Sequence, residues 1–189
     1  MAIPSTLAYT SLGPCTVSWG QSTLSTNGLY YPVTAATSLT VLGKSDNAQT
    51  QEIEESWDQY KPNIADFGKI PLPGFNLGEA HRLRIPLTVF NNTQLLALKQ
   101  ALRGTVSTVE GASGKLGAAS GIITLQLAFI LPGTPIRIYP NVHADPGSTL
   151  HISGARYDAT PSYMLNLIAY TNPSVPPADT DPVYTVTYN

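Results

Sequence analysis

Sixteen prolines and fifteen glycines punctuate this chain of 189 residues, so no stretch runs far before the backbone must turn. The pieces between them are rich in β-branched and aromatic residues, which suit a pleated, half-buried surface. Several pieces alternate with a period of two, which in a strand sends successive side chains to opposite faces. Between Gly121 and Leu131, the residues Ile123, Leu125, Leu127, Phe129 and Leu131 share one face, with Thr124 and Gln126 on the other, as in a central strand. From Arg82 to Phe90, Leu83, Ile85, Leu87 and Val89 face a core while Arg82, Arg84, Pro86 and Thr88 face away. Pro86 cannot donate to a ladder and therefore marks an edge position or a bulge. Cys15 to Trp19, Leu39 to Leu42, Ile136 to Tyr139, Tyr163 to Tyr170 and Val183 to Tyr188 continue the pattern. The expected fold is mainly β: a sandwich or barrel of short antiparallel strands in one domain spanning residues 1–189.

One segment breaks the pattern. Asn91 to Gly104 is built from good helix formers, with Leu95, Leu98 and Leu102 on a single stripe, and predicts a flanking α-helix over about residues 92–103. Asn91 can cap it, Gln94 sits at the capping-box position, Phe90 and Leu95 have staple spacing, and Gly104 is a natural terminator. Three stretches read instead as long loops or arms: residues 43–80, residues 105–121, which are rich in Gly, Ser and Ala, and the Pro-rich residues 172–182. Arms this polar are expected to be ordered by neighbouring copies, which favours an assembly.

Charge narrows the function. Only 12% of residues are charged, ten Lys plus Arg against twelve Asp plus Glu for a formal charge of −2, about half the usual share. A surface so weakly charged is poorly protected against self-association, and without a Lys/Arg stripe it is not built to grip nucleic acid. The single cysteine, Cys15, excludes an intrachain disulfide and reads as a small buried apolar side chain. Met1 to Thr6 lacks the features of a signal peptide, and no apolar run approaches a membrane span, so the expectation is cytosolic synthesis with no membrane partner.

Intact catalytic motifs are lacking. Gly111-Ala112-Ser113-Gly114-Lys115-Leu116 resembles a phosphate loop but fails at Val109 and Leu116, and Gly117 to Gly121 misplaces the serine of a nucleophile elbow. His143, Asp145, His151 and Asp158 could hold a metal or an acid–base pair, yet their spacing fits no metal motif, and Asp145-Pro146-Gly147-Ser148 is ordinary turn chemistry. Glu79 and His81 flank an expected strand start and are discounted likewise, and Asn91-Asn92-Thr93, though a glycosylation sequon, reads as a helix cap. The acidic piece Glu52-Ile53-Glu54-Glu55-Ser56-Trp57-Asp58 is more informative. Extended, it puts Glu52, Glu54, Ser56 and Asp58 on one almost purely anionic face and Ile53, Glu55 and Trp57 on the other. Such a face suits a solvated or interface strand, or a lining that repels a polyanion.

The order of these pieces resembles the tail tube proteins of long-tailed bacteriophages. The resemblance rests on Val17-Ser18-Trp19-Gly20-Gln21-Ser22-Thr23-Leu24, Leu39 to Leu42, Glu52 to Glu55 followed by Asp58-Gln59, Gly78-Glu79-Ala80, Leu83-Arg84-Ile85-Pro86-Leu87-Thr88 and Leu95 to Leu98. It covers roughly residues 14–103 and, more loosely, Arg156 to Tyr170. Leu29 to Thr37, rich in Tyr, Pro and Thr, and the Pro-rich 172–182 depart from that family's pattern. The resemblance implies a non-enzymatic virion component, made in the host cytoplasm and stacked as six-membered rings into a hollow tube. Its partners would be copies of itself, tape-measure and tail terminator proteins, and DNA in passage, with no cofactor and no metal. Glu52, Glu54 and Asp58 would then be lumen or interface carboxylates, and Ser107, Gly111, Ser113, Gly114, Lys115 and Gly117 an oligomer-contact loop. The alternatives are a neck, baseplate or jelly-roll capsid component, or a carbohydrate-binding sandwich.

Overall fold

A computed structural model describes residues 14–24, 33–45, 52–60, 75–103, 121–130, 135–145, 151–153, 162–173 and 181–188. Among these residues the chain is mainly β with one helix. The strands are β1 (Cys15–Gln21), β2 (Thr23–Leu24), β3 (Val33–Thr34), β4 (Thr40–Lys44), β5 (Glu52–Tyr60), β6 (Phe75–Leu87), β7 (Val89–Phe90), β8 (Ile123–Phe129), β9 (Pro135–Ala144), β10 (His151–Ser153), β11 (Ser162–Tyr170) and β12 (Thr185–Tyr188). The helix α1 (Asn92–Arg103) lies between β7 and β8.

All the ladders are antiparallel, and the main sheet runs β5-β6-β11-β9-β8-β1-β4-β7, with β10 added to β11 and β12 to β9. Of the sandwich or barrel expected, a closed barrel is not formed: no ladder joins the two ends of this path among the described residues. The sheet curls over instead: Phe90 on β7 meets Tyr163 on β11 with ring centroids 5.8 Å apart, although the two strands lie far apart along the path. The chain makes the same jump at Thr88, where it leaves the β11 side as β6 and continues as β7 against β4, with the Thr88 amide donating to the Lys44 carbonyl at 3.0 Å.

Alternation explains the core. Leu83, Ile85 and Leu87 on β6, Leu165 and Leu167 on β11, Leu125 and Leu127 on β8, and Cys15 and Val17 on β1 all join one buried cluster. Helix α1 covers it with Leu95, Leu98 and Leu102, and Asn91 caps the helix, its Oδ1 accepting from the Thr93 and Gln94 amides at 3.0 and 3.2 Å. Gly43 permits a close approach of β7, since a Cβ there would strike the Val89 carbonyl oxygen.

Two expectations need correction. Residues 43–80 are not one loop, because β5 and the first half of β6 form a long hairpin within them; Gln59 and Tyr60 pair with Asn76 and Phe75 across a register shift. Thr124, on the face of β8 opposite the leucines, is buried too: its hydroxyl bonds Ser22 Oγ at 2.8 Å and accepts from the Ala36 amide at 2.8 Å, so the segment around β3 covers this end of the sheet. The alternation expected over Arg82 to Phe90 is the second: Pro86, expected to face away, is buried and pairs with Met164 on β11, and Val89, expected to face the core, is 67% exposed because the chain has by then crossed from β6 to β7.

Candidate functional site: the edge hairpin and the polar cluster beneath it

The acidic piece is the strand β5, at one end of the main sheet, and it pairs only with β6 among the described residues. Its outer face is not the purely anionic surface that the alternation suggested. Glu52 stands opposite Arg84 and Glu54 opposite Arg82, and the Arg84 guanidinium donates to Glu52 Oε2 at 3.1 Å. The reason is that Arg82 and Arg84 occupy the outward positions of the very strand that β5 joins, so the two alternations meet in register. Glu52 and Arg84 are each 54% exposed, which makes the pair worth little stability; it neutralises charge more than it binds. The Asp58 backbone pairs with Gly78 on β6.

The other face of the hairpin carries chemistry that sequence reasoning discounted. Glu79 and His81 lie two apart on β6 and so point to the same side, and Glu55 on β5 stands directly opposite His81. His81 is buried, and its Nε2 lies 2.7 Å from Glu79 Oε1. One donor atom from each of Glu55, Glu79 and His81 lies within 4.8 Å of the others. Glu55 is exposed and Glu79 is partly exposed, so both carboxylates reach inward from the solvent rim to a buried imidazole.

Aromatic rings wall the imidazole on its inner side. Tyr139 on β9 meets it edge-on at 6.1 Å, Tyr184 lies 5.4 Å away, and the two tyrosine rings are 5.2 Å apart. The Arg137 guanidinium sits over the Tyr184 ring at 5.0 Å. Ala169 on β11, the neighbour of His81 in the ladder, leaves room for these large rings. His81 Nδ1, Tyr139 Oη and Arg137 Nε are all buried without a hydrogen-bond partner among the described residues. Burial pushes the Tyr139 phenol up to about 12; Arg137 opposes the rise, while Tyr184 and Glu55 add to it.

The sequence offered Glu79-x-His81 as its only signal for this cluster, and register alone brings Glu55 to it. His143 and Asp145 form no comparable constellation. His143 Nε2 bonds Asn141 Oδ1 at 2.9 Å, its ring packs edge-on against Tyr170, and burial lowers its pKa. His143 stands opposite Ile168 and the His151 backbone opposite Met164, four residues apart along β11, or roughly 13 Å, and the His151 side chain lies outside the described residues. Asp158 and the loop residues Ser107, Gly111, Ser113, Gly114, Lys115 and Gly117 lie outside the described residues.

A second concavity of about 380 Å³ lies between α1 and β11, lined by Phe90, Leu95, Lys99 and Tyr163 among others. Lys99 Nζ sits 5.2 Å from the centre of the Tyr163 ring, and the buried Tyr163 hydroxyl has no hydrogen-bond partner among the described residues. No helix among the described residues is long and apolar enough to cross a membrane. Comparison of the chain with protein-family models, with curated proteins and with solved structures gives no match.

Proposed function

We propose that the chain is a self-assembling structural protein of the tail-tube kind, without catalytic activity, whose copies join through strand edges into rings that stack around a channel for DNA. The observation that carries this reading is β5: a nine-residue strand at the end of the sheet, with its outer edge unpaired among the described residues. A row of free N–H and C=O groups is a template for another strand, and a soluble protein ordinarily blunts or covers it. Here the protection is slight, because the charges that flank the edge are partly cancelled by Arg82 and Arg84. The low overall charge works in the same direction. This balance favours Glu52 and Glu54 as interface residues over a repelling lumen wall, with the tape-measure protein, the tail terminator and the transiting DNA as further partners.

Negative-stain electron microscopy of the purified protein tests the reading. Six-fold rings or hollow tubes are the expected result, and single proline substitutions along Glu52 to Ser56 should abolish them wherever the replaced amide points outward. Dispersed monomers at high concentration, or a closed icosahedral shell, would overturn it.

A further inference from the structure

We propose that Glu55, Glu79 and His81 form a binding site for a divalent cation of the zinc class, set between the edge strand β5 and the body of the sheet. The inference stands on the geometry of the cluster and is independent of the tube reading. Its ligand set is mixed: one imidazole nitrogen and two carboxylates, the combination that a borderline cation such as Zn2+ accepts and that the oxygen-seeking Mg2+ and Ca2+ do not prefer. The donor atoms already converge to within 4.8 Å. Ligands about 2.0–2.2 Å from a tetrahedral ion lie roughly 3.3 Å from one another, so the required movement is small. The Glu79–His81 contact of 2.7 Å opens slightly, and Glu55 closes by a rotamer change that its exposure permits.

A second observation points the same way. His81 is 1% exposed, and its Nδ1 is buried without a hydrogen-bond partner among the described residues. A buried ring nitrogen left unpaired is costly, and a cation held by the imidazole offsets that cost. Two carboxylates beside one imidazole also concentrate negative charge at the mouth, which a dication neutralises. The Arg137 cation, two residues along β9 from Tyr139, is held against the Tyr184 ring. Because β5 contributes one ligand and β6 the other two, an ion here would fasten the edge strand to the sheet.

Isothermal titration of the full chain with ZnCl2, alongside MgCl2 and CaCl2, decides the matter. Expected is one zinc per chain, at least a hundredfold tighter than either other ion, with Co2+ giving the intense visible absorption of a four-coordinate site. Glu55→Gln changes an exposed side chain and keeps the fold, so it should weaken zinc at least tenfold with unchanged circular dichroism. The outer-face variant Glu52→Gln should bind as the parent does. Absence of stoichiometric zinc uptake, or zinc bound equally well by Glu55→Gln, as happens if His143 or His151 is the real ligand, would overturn the proposal.

Discussion

Tyr139 shows how one side chain can set the alkaline limit of this fold. It fills the space beside His81 with an aromatic ring, and the same burial that makes it a good filler leaves its hydroxyl unpaired among the described residues. Desolvation raises its pKa from 10.0 to about 12, and burial does the same for Tyr163, against the opposing charge of Arg103. Because the folded state favours the neutral phenol, the stabilisation is complete below pH 10, where the unfolded chain's tyrosines begin to ionise. It is lost as pH climbs from 10 toward 12. For Tyr139 alone the loss is roughly 2–3 kcal/mol. Replacing Tyr139 by Phe removes a hydroxyl with no described partner, so the variant should match the parent at pH 7 within about 1 kcal/mol and lose less stability in alkali. Urea unfolding at pH 7, 10 and 11.5 measures this, and parallel curves for the two proteins would show that the phenol is not desolvated in solution.

Helix α1 is the element whose sequence and structure agree most closely. Cap and leucine stripe fall where local chemistry places them, and Leu98 is 1% exposed; the expected terminator, Gly104, lies outside the described residues. Leu98→Asp therefore puts a carboxylate into the core at a cost of several kcal/mol and should abolish soluble folding. Soluble expression with native circular dichroism would take α1 out of the core. The strands were legible where one face is apolar, as on β8 and β11, because alternation is itself the signal of a half-buried strand. The β5–β6 hairpin was less legible. Glycines, prolines and polar residues around it imitate a loop, and β6 starts at Phe75, well before the alternation that begins at Arg82. The polar cluster was hidden for a further reason: Glu55, His81 and Tyr139 converge only through register and sheet curl, and neither leaves a local trace. The Glu52–Arg84 pairing is hidden in the same way, since neither strand's sequence names its partner.

At the scale of the whole molecule, the question is which parts serve the fold and which are free to serve an assembly. The curled sheet and α1 together supply the buried cluster among the described residues, which stop at Arg103 and resume at Gly121. Those two points are fastened to each other: the Gly121 amide donates to the Leu102 carbonyl at 3.1 Å, and a Cβ on Gly121 would strike the Ala101 carbonyl oxygen at 1.8 Å. A chain whose exit and entry are in contact can lose what lies between them without disturbing either end. Deleting Ser107 to Ala119 leaves Gly104, Thr105, Val106 and Ser120 to bridge the junction, and the shorter closure favours the folded state by roughly 1 kcal/mol. The variant should keep native circular dichroism and a melting temperature no lower than the parent's. In the tube reading the same segment docks on the next copy, so the folded variant should form no tubes under the electron microscope. Full-length tubes from the variant would remove the loop from the interface and leave the β5 edge to carry assembly; an unfolded variant would show that the segment belongs to the core.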